Sequence, residues 1–358
     1  MLNKRYEIIK PIKSGGFGEV YLAKDHNLGI EVALKRYHLE QMASKVGGIK
    51  NAEKYSVINE IRRAILFQHP NVCRYFDAFR YDEGSSFGLQ HYEIGVMEYI
   101  SGGDLDAYVK KHGINSEKAK KALLGVLEGL SYLHGQGVIH RDIKPNNILV
   151  SGDTPKIIDF GISKETEKEG NTSTILFTSP GYVSPEQIDN ITFGIDQKIS
   201  YNIDLWAFGV MLYSLCKDKM PFGTPGKTDE TSSIFRNRVL TQSIDALDWA
   251  GISDTYKQLI KACLVKDAKK RVKTAKDVIN MLSGGFTQKP HPDGGRTTPD
   301  TKPEKPVITK PESSDKKPGG SDEIKYERLK TPNYKWLIII AVLVNIIFLI
   351  IYIIAMFN

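Results

Sequence analysis

The sequence predicts an α+β fold in two lobes, one rich in strands and the next rich in helices. Three observations carry this. Apolar and polar residues alternate with period two in YEIIKPI, EVYLAKD and EVALKRY, all before residue 38. Beyond Gly103 the spacing becomes helical, as in SEKAKKALLGVLEGLSYLHGQG. Near residue 284 the composition changes, and the foldable part, 1–283, ends there.

Between these landmarks a helical stretch is expected near Ala52–Gln68. Strands follow at Arg74–Tyr81 and His91–Tyr99, and a short link at Glu98–Gly103 joins the lobes. No internal repeat is visible. With 358 residues, 41% hydrophobic and 25% charged, the chain has ample length for a core. That balance excludes a wholly disordered, collagen-like or multi-pass membrane protein. The net charge is +7, but 49 basic residues are scattered among 42 acidic ones, so no nucleic-acid partner is expected. Cys73, Cys216 and Cys263 are widely spaced and read as buried thiols of a reducing compartment, with neither a disulfide framework nor a zinc site.

Residues 284–335 are rich in Pro, Lys, Thr, Ser, Asp and Gly. They hold too little apolar surface to offset chain entropy, and a disordered linker is expected. From Trp336 to Phe357 the chain reads WLIIIAVLVNIIFLIIYIIAMF, without a charge. As a helix these residues reach roughly 33 Å, enough to cross the hydrocarbon core. With no polar face, a buried soluble helix is the poorer reading. The expectation is a single-pass, C-terminal tail anchor at 336–357. Lys325, Arg328, Lys330 and Lys335 precede it and would keep the rest of the chain in the cytoplasm.

Ser14-Gly15-Gly16-Phe17-Gly18-Glu19-Val20 lies between two strands, and its glycines let free amides approach an anion. Alone it reads equally as a hairpin turn. Lys35 ends the apolar run Val32-Ala33-Leu34, where a charge needs a partner, and Glu60 on the expected helix is a candidate. That pair alone reads equally as a surface salt bridge. His140-Arg141-Asp142-Ile143-Lys144-Pro145-Asn146-Asn147 is a polar loop running into the apolar Ile148-Leu149. Asp142 has the chemistry to accept a hydroxyl proton, Lys144 to neutralise a phosphate and Asn147 to bind a hard cation. Asp159-Phe160-Gly161 adds a second carboxylate at a strand end.

In this order the motifs resemble the eukaryotic-type (Hanks-type) serine/threonine protein kinases over about Tyr6–Leu282. The order runs Gly-rich loop, V-A-L-K, helix Glu, H-R-D-I-K-P-N-N, D-F-G, S-P-E, D-L-W-A-F-G and a late Arg271. The resemblance implies the bilobal kinase fold, ATP as donor, Mg²⁺ as cofactor and protein Ser/Thr hydroxyls as acceptors. It implies Asp142, Lys144 and Lys35 as catalytic residues, and Asn147 and Asp159 as metal ligands. For ATP it implies Ser14, Gly15, Gly16, Phe17 and Gly18 at the phosphates. Lys35 would pair with Glu60, and Met97 would be the gatekeeper. Glu98 and Tyr99 would form the adenine hinge, Asp104 would lie near the ribose, and Val20, Ala33 and Leu149 would sandwich the adenine. It implies a structural His140 under Phe160, a buried Glu186–Arg271 pair and Asp204 bracing the loop.

Some positions depart from the pattern. Lys13 stands where the first glycine usually does. Thr178 and Ser179 replace the usual Gly-Thr before Pro180, and Ser179 retains a hydroxyl for Asp142 and Lys144. Ala64 is small where a leucine is usual, a gap that Ile65 would fill. The Lys35-to-Glu60 stretch is long. Arg141 before Asp142 implies control by phosphorylation of the following segment, at Thr166, Thr172, Ser173 or Thr174.

The expectation is therefore a kinase tethered to a membrane, with a bacterial inner membrane the best fit to the layout. Tethering raises its concentration toward other copies and favours autophosphorylation in trans by a homodimer. The rivals are a membrane-anchored pseudokinase scaffold, which the intact Lys35, Asp142, Asn147 and Asp159 disfavour, and a kinase for small molecules or lipids.

Overall fold

The computed structural model describes residues 2–15, 18–38, 56–85, 88–159, 179–195, 200–226 and 228–284. All belong to one unit, 1–290. The expected linker beyond Gly284, and Trp336–Phe357, lie outside the described residues. Among the described residues no helix is long and apolar enough to cross a membrane.

Five antiparallel strands form the first lobe: β1 (Tyr6–Gly15), β2 (Gly18–Asp25), β3 (Ile30–His38), β4 (Tyr75–Ser85) and β5 (Gly88–Glu98), in the order β1-β2-β3-β5-β4. The β1–β2 hairpin closes at Gly15 opposite Gly18. Gly18 has φ +145°, and a Cβ there would lie 1.9 Å from the Arg36 carbonyl oxygen on β3, so only glycine fits. Alternation works as expected: Val32 and Leu34 enter a small core with Tyr6, Ala23, Tyr92, Ile94 and Val96. Their neighbours Ala33 and Tyr37 enter the larger core.

Helix α1 (Val57–Ala64) packs on β4 and β5. Val57, Ile58, Ile61 and Ala64 are buried at helical spacing, while Arg62 and Arg63 are exposed. It is shorter than the stretch Ala52–Gln68 expected from sequence, and 39–55 lie outside the described residues. A Cβ at Gly95 would lie 2.7 Å from Ile61 Cδ1, so a side chain on β5 there would push the helix away. Ala64 is buried in the same core as Tyr75, with Ile65 part-buried against it.

The turn after α1 fastens this lobe to the next through α3 (Glu117–Gly135) and the hairpin of β6 (Ile148–Ser151) and β7 (Thr154–Ile157). Buried Asn71 donates to the Pro155 carbonyl at 2.9 Å and accepts from Ile157 N at 2.9 Å. Cys73 N donates to Ile157 O at 2.8 Å, and His69 stacks on Tyr132.

The second lobe starts with α2 (Leu105–His112), capped by Asp104, and α3, capped by Ser116. Leu123, Val126, Leu127, Leu130 and Leu133 of α3 are fully buried. Two short helices follow, α4 (Pro185–Ile188) and α5 (Asn190–Phe193). Then come α6 (Asn202–Lys217), α7 (Asp229–Thr241), α8 (Asp254–Cys263) and α9 (Ala275–Leu282). Helix α6 is buried on every side from Asn202 to Tyr213, which makes it the centre of the lobe. Arg271 and Glu186 form the expected ion pair, in fork geometry at 2.6 and 2.8 Å, and both are buried. Arg271 also donates to the carbonyls of Val265 and Asn202, so the buried guanidinium is well supplied with acceptors.

Candidate active site

The loop 139–147 is held from beneath. Asp204 of α6 is fully buried and accepts from His134 Nε2 at 2.9 Å, His140 N at 2.8 Å and Arg141 N at 2.7 Å. Burial pushes its pKa up, but His134, His140 and these bonds outweigh burial, and the carboxyl stands below its usual range. The grip holds Arg141 at φ +65°, a left-handed backbone that costs a non-glycine residue about 1–2 kcal/mol. His140 is fully buried, its Nε2 3.0 Å from Ile158 O and its Nδ1 3.2 Å from Asp142 N. Both ring nitrogens are thus occupied within the fold, in keeping with the structural role expected for it. Phe160 lies outside the described residues.

Held this way, the loop presents a polar cluster. Asp142 accepts from Lys144 Nζ at 2.9 Å, from Asn147 Nδ2 at 2.8 Å and from Ser179 N at 3.1 Å. Lys144 also donates to Ser179 Oγ. The expected Ser179 hydroxyl serves Lys144, while Asp142 is met by the Ser179 backbone amide and not by the hydroxyl. Asn147 Nδ2 also bonds the Asp142 carbonyl at 2.8 Å. Its amide hydrogens are committed there, so its carbonyl oxygen is what it offers a cation.

Across from it, Lys35 Nζ on β3 lies 2.7 Å from Asp159 Oδ1, just past β7. The sequence pointed to Glu60 as partner of Lys35. The observed partner is Asp159, and Glu60 sits on α1 with its side chain outside the description. Lys35 Nζ also lies 5.1 Å from the Tyr37 ring centroid. Burial pulls the ammonium down, but Asp159 and Tyr37 outweigh it, so its pKa is raised and the charge is firm. Asp159 has φ +60°, a second left-handed backbone at the site. The carbonyl of Asn147 and the carboxylate of Asp159 are hard oxygen donors of the kind Mg²⁺ takes, and Mg²⁺ usually needs only one or two protein ligands. Among the described residues no group of three or more His, Cys, Asp or Glu forms a closed metal cage.

The residues that the resemblance assigns to the adenine lie along β2, β3 and β5. Val20 pairs with Lys35 in register, and Ala33 pairs with Met97, which in turn faces Tyr75. Beyond Met97, the Glu98 carboxylate accepts from Arg74 N at 2.8 Å and Lys156 Nζ at 2.9 Å. The Glu98 side chain therefore braces the link to β7, and its backbone N–H donates to the Arg74 carbonyl at 2.9 Å. Tyr99 and Leu149 are part-buried against the same core. Asp104 bridges to Leu149 and accepts from Asn146 Nδ2 at 3.0 Å. Ser14 and Gly15 end β1 and Gly18 opens β2. Gly16, Phe17, Thr178 and the hydroxyls of Thr166, Thr172, Ser173 and Thr174 lie outside the described residues.

Sequence reasoning missed Tyr37, Tyr75, Lys156 and Glu93. Glu93 was open to detection: on β5 it shares a face with Gly95 and Met97, so a carboxylate was bound to point inward.

The site thus combines a braced acid–lysine–asparagine loop with a lysine–aspartate pair that joins β3 to the end of β7. A protein kinase domain family model matches residues 6–282, and the chain belongs to that family. The chain is 29% identical over 303 residues to the serine/threonine-protein kinase pkn2 of Myxococcus xanthus, covering 80% of this chain and 33% of the relative. It is 32% identical over 224 residues to the serine/threonine-protein kinase cds1 of Schizosaccharomyces pombe, covering 62% and 46%. It is 32% identical over 271 residues to the calcium/calmodulin-dependent protein kinase type 1B of Rattus norvegicus, covering 74% and 71%. Residues 6–282 are thus a protein serine/threonine kinase domain, and the match spans a third to under half of the first two relatives.

Proposed function

We propose that the protein transfers the γ-phosphoryl group of ATP to Ser or Thr hydroxyls of proteins. The observation that carries this is the Asp142 carboxylate, ringed by Lys144, Asn147 and Ser179, in a chain whose Asp159 is paired with Lys35. Asp142 would orient the acceptor hydroxyl and take its proton. Lys144, beside Asp142, would meet the charge on the transferring group. Lys35, with its firm positive charge, would hold the donor's α- and β-phosphates. Asn147 and Asp159 would hold Mg²⁺, which supplies charge neutralisation across the phosphates when bound. Val20, Ala33, Met97, Leu149 and the backbone of Glu98 and Tyr99 would receive the adenine, Asp104 the ribose, and 14–18 the phosphates. A short hydroxyl at Ser179, bonded to Lys144 beside Asp142, favours Ser/Thr acceptors in the family this chain belongs to.

The membrane reading rests on the uncharged run Trp336–Phe357 and the basic residues before it. Residues 284–335 would act as its tether, the domain would face the cytoplasm, and copies held in one membrane would phosphorylate each other at 166–174.

The test is transfer of labelled phosphate from ATP with Mg²⁺ by the full chain, beside Asp142→Asn and Lys35→Met. Label on the chain or on a generic protein, lost in both variants, supports the reading. Nucleotide binding without transfer by the full chain in vesicles would replace it with the scaffold. Flotation of the full chain with vesicles, lost on removal of 336–358, tests the anchor.

A further inference from the structure

We propose that Glu93 is a positioning residue for phosphoryl transfer, a clamp that fixes the N-terminus of α1 against β5. The inference rests on the kinase reading above and goes beyond it by naming what holds this helix. Glu93 lies on β5, and its side chain is fully buried. A carboxyl group buried in that position requires polar partners, and all but one come from the start of α1. Val57 N donates to Oε2 at 2.7 Å and Ile58 N at 3.3 Å, while Ser56 Oγ donates to Oε1 at 2.8 Å. The other is Arg80, its cross-strand neighbour on β4, whose Nε reaches Oε1 at 3.4 Å from a side chain 60% exposed.

The helix has no cap of its own. Ser56 stands at the N-cap position without a side-chain bond to the helix amides, and its hydroxyl goes to Glu93 instead. Helix N-termini leave amides unpaired and carry partial positive charge, so a carboxylate there satisfies both. An eight-residue helix is too short to be stable alone. Its placement depends on the four buried residues Val57, Ile58, Ile61 and Ala64 and on this carboxylate.

The same strand sets the reaction geometry. Gly95, two residues on, receives Ile61, and Met97, two further, pairs with Ala33 and faces Tyr75. Glu98 then ends the strand at the link to β7. Helix α1 carries Glu60, and β3, bonded to β5 throughout, carries Lys35. Glu93 thereby locks the helix to the strand that carries Met97. Loss of the clamp frees α1 without touching Met97 or Ala33.

The experiment uses the full chain and the variants Glu93→Gln, Glu93→Asp and Ser56→Ala. Measured for each are kcat and KM for ATP, thermal unfolding, and hydrogen exchange of peptides covering 56–64 and 117–135. For Glu93→Gln we expect kcat to fall about tenfold with KM for ATP within twofold, and exchange to quicken at least tenfold in 56–64 but not in 117–135. Glu93→Asp should recover part of both effects, and Ser56→Ala should show a smaller change of the same kind. Unchanged exchange and kcat in Glu93→Gln would overturn the clamp. So would equal quickening in both peptides, or a parallel loss in all variants that follows thermal unfolding, since these mark plain destabilisation. If Glu93→Gln does not fold, Ser56→Ala decides by the same two readouts. If the wild type transfers no phosphate, the kinase reading fails, while exchange in 56–64 still reports on the clamp.

Discussion

Two fully buried carboxylates, Asp204 in the helical lobe and Glu93 in the strand lobe, each accept three hydrogen bonds from their surroundings, yet they hold very different objects. Asp204 sits on a sixteen-residue helix with its first twelve residues buried, and it grips a loop already packed beneath by His140. Glu93 sits on a strand and grips the end of an eight-residue helix whose other face carries exposed Arg62 and Arg63. The same chemistry therefore yields a rigid platform where the partners are pinned elsewhere, and an adjustable one where they are not. Local stability follows the density of buried contacts around a bond more than the bond itself.

The largest expected effect leaves both platforms untouched. Asp142→Asn removes the proton acceptor but keeps the shape that Lys144, Asn147 and Ser179 surround. The turnover number should fall about 10²–10⁴-fold, the usual weight of a general base, with the melting temperature within about 2 °C. A steady-state assay and a melting curve check both halves, and a large drop in melting temperature would mean that the cluster is structural.

Next is the rigid platform itself. Arg271→Ala leaves the Glu186 charge buried and alone, at a cost of about 3–5 kcal/mol. Thermal unfolding of the whole domain should then fall by about 10 °C. A loss confined to a local rise in exchange would erase the contrast between the lobes.

Asp204 makes the contrast depend on pH. Its folded pKa lies below its unfolded value, so around pH 4 the unfolded chain binds more protons than the native one and stability rises with pH. Its contribution is complete above the unfolded carboxyl range and is lost as pH falls through the folded value. In Asp204→Asn, chemical-denaturation stability should be lower at pH 7 and should fall less steeply between pH 5 and 3. Equal slopes in the two proteins would remove Asp204 from the account.

A smaller effect is expected at the joint between the lobes. Asn71→Ala leaves the Pro155 carbonyl without its donor, at about 1–3 kcal/mol, measurable by urea unfolding. The smallest is at the surface. Lys110 is 58% exposed although it pairs with Asp106 and Asp218, so Lys110→Ala should leave the urea unfolding midpoint unchanged within the error of the measurement. A measurable loss would show that surface pairs, and not buried carboxylates, set the difference.

Much of this molecule was legible in the sequence, because its signals are local. The alternation of β1 to β3, the long helix α3 and the order of the loop residues from His140 to Asn147 depend only on residue type and spacing. So does the buried Glu186–Arg271 pair, once the family resemblance is admitted. The boundaries of α1 were less legible, since a two-turn helix lacking its own cap leaves a weak mark.

What tertiary structure alone decided are pairings between residues far apart in the chain. Lys35 meets Asp159 at 2.7 Å, a pairing that no local pattern indicated, while the Glu60 side chain lies outside the described residues. Lys156 and Glu98 are joined only because β7 packs beneath the link. Glu93 announces an inward carboxylate by its place on β5, but nothing near it in sequence says that its donors are Ser56, Val57 and Ile58. Local pattern determines which groups this chain carries and in what order. Which charges meet is decided when burial removes water from them and leaves each only the partners that the packed core brings within reach.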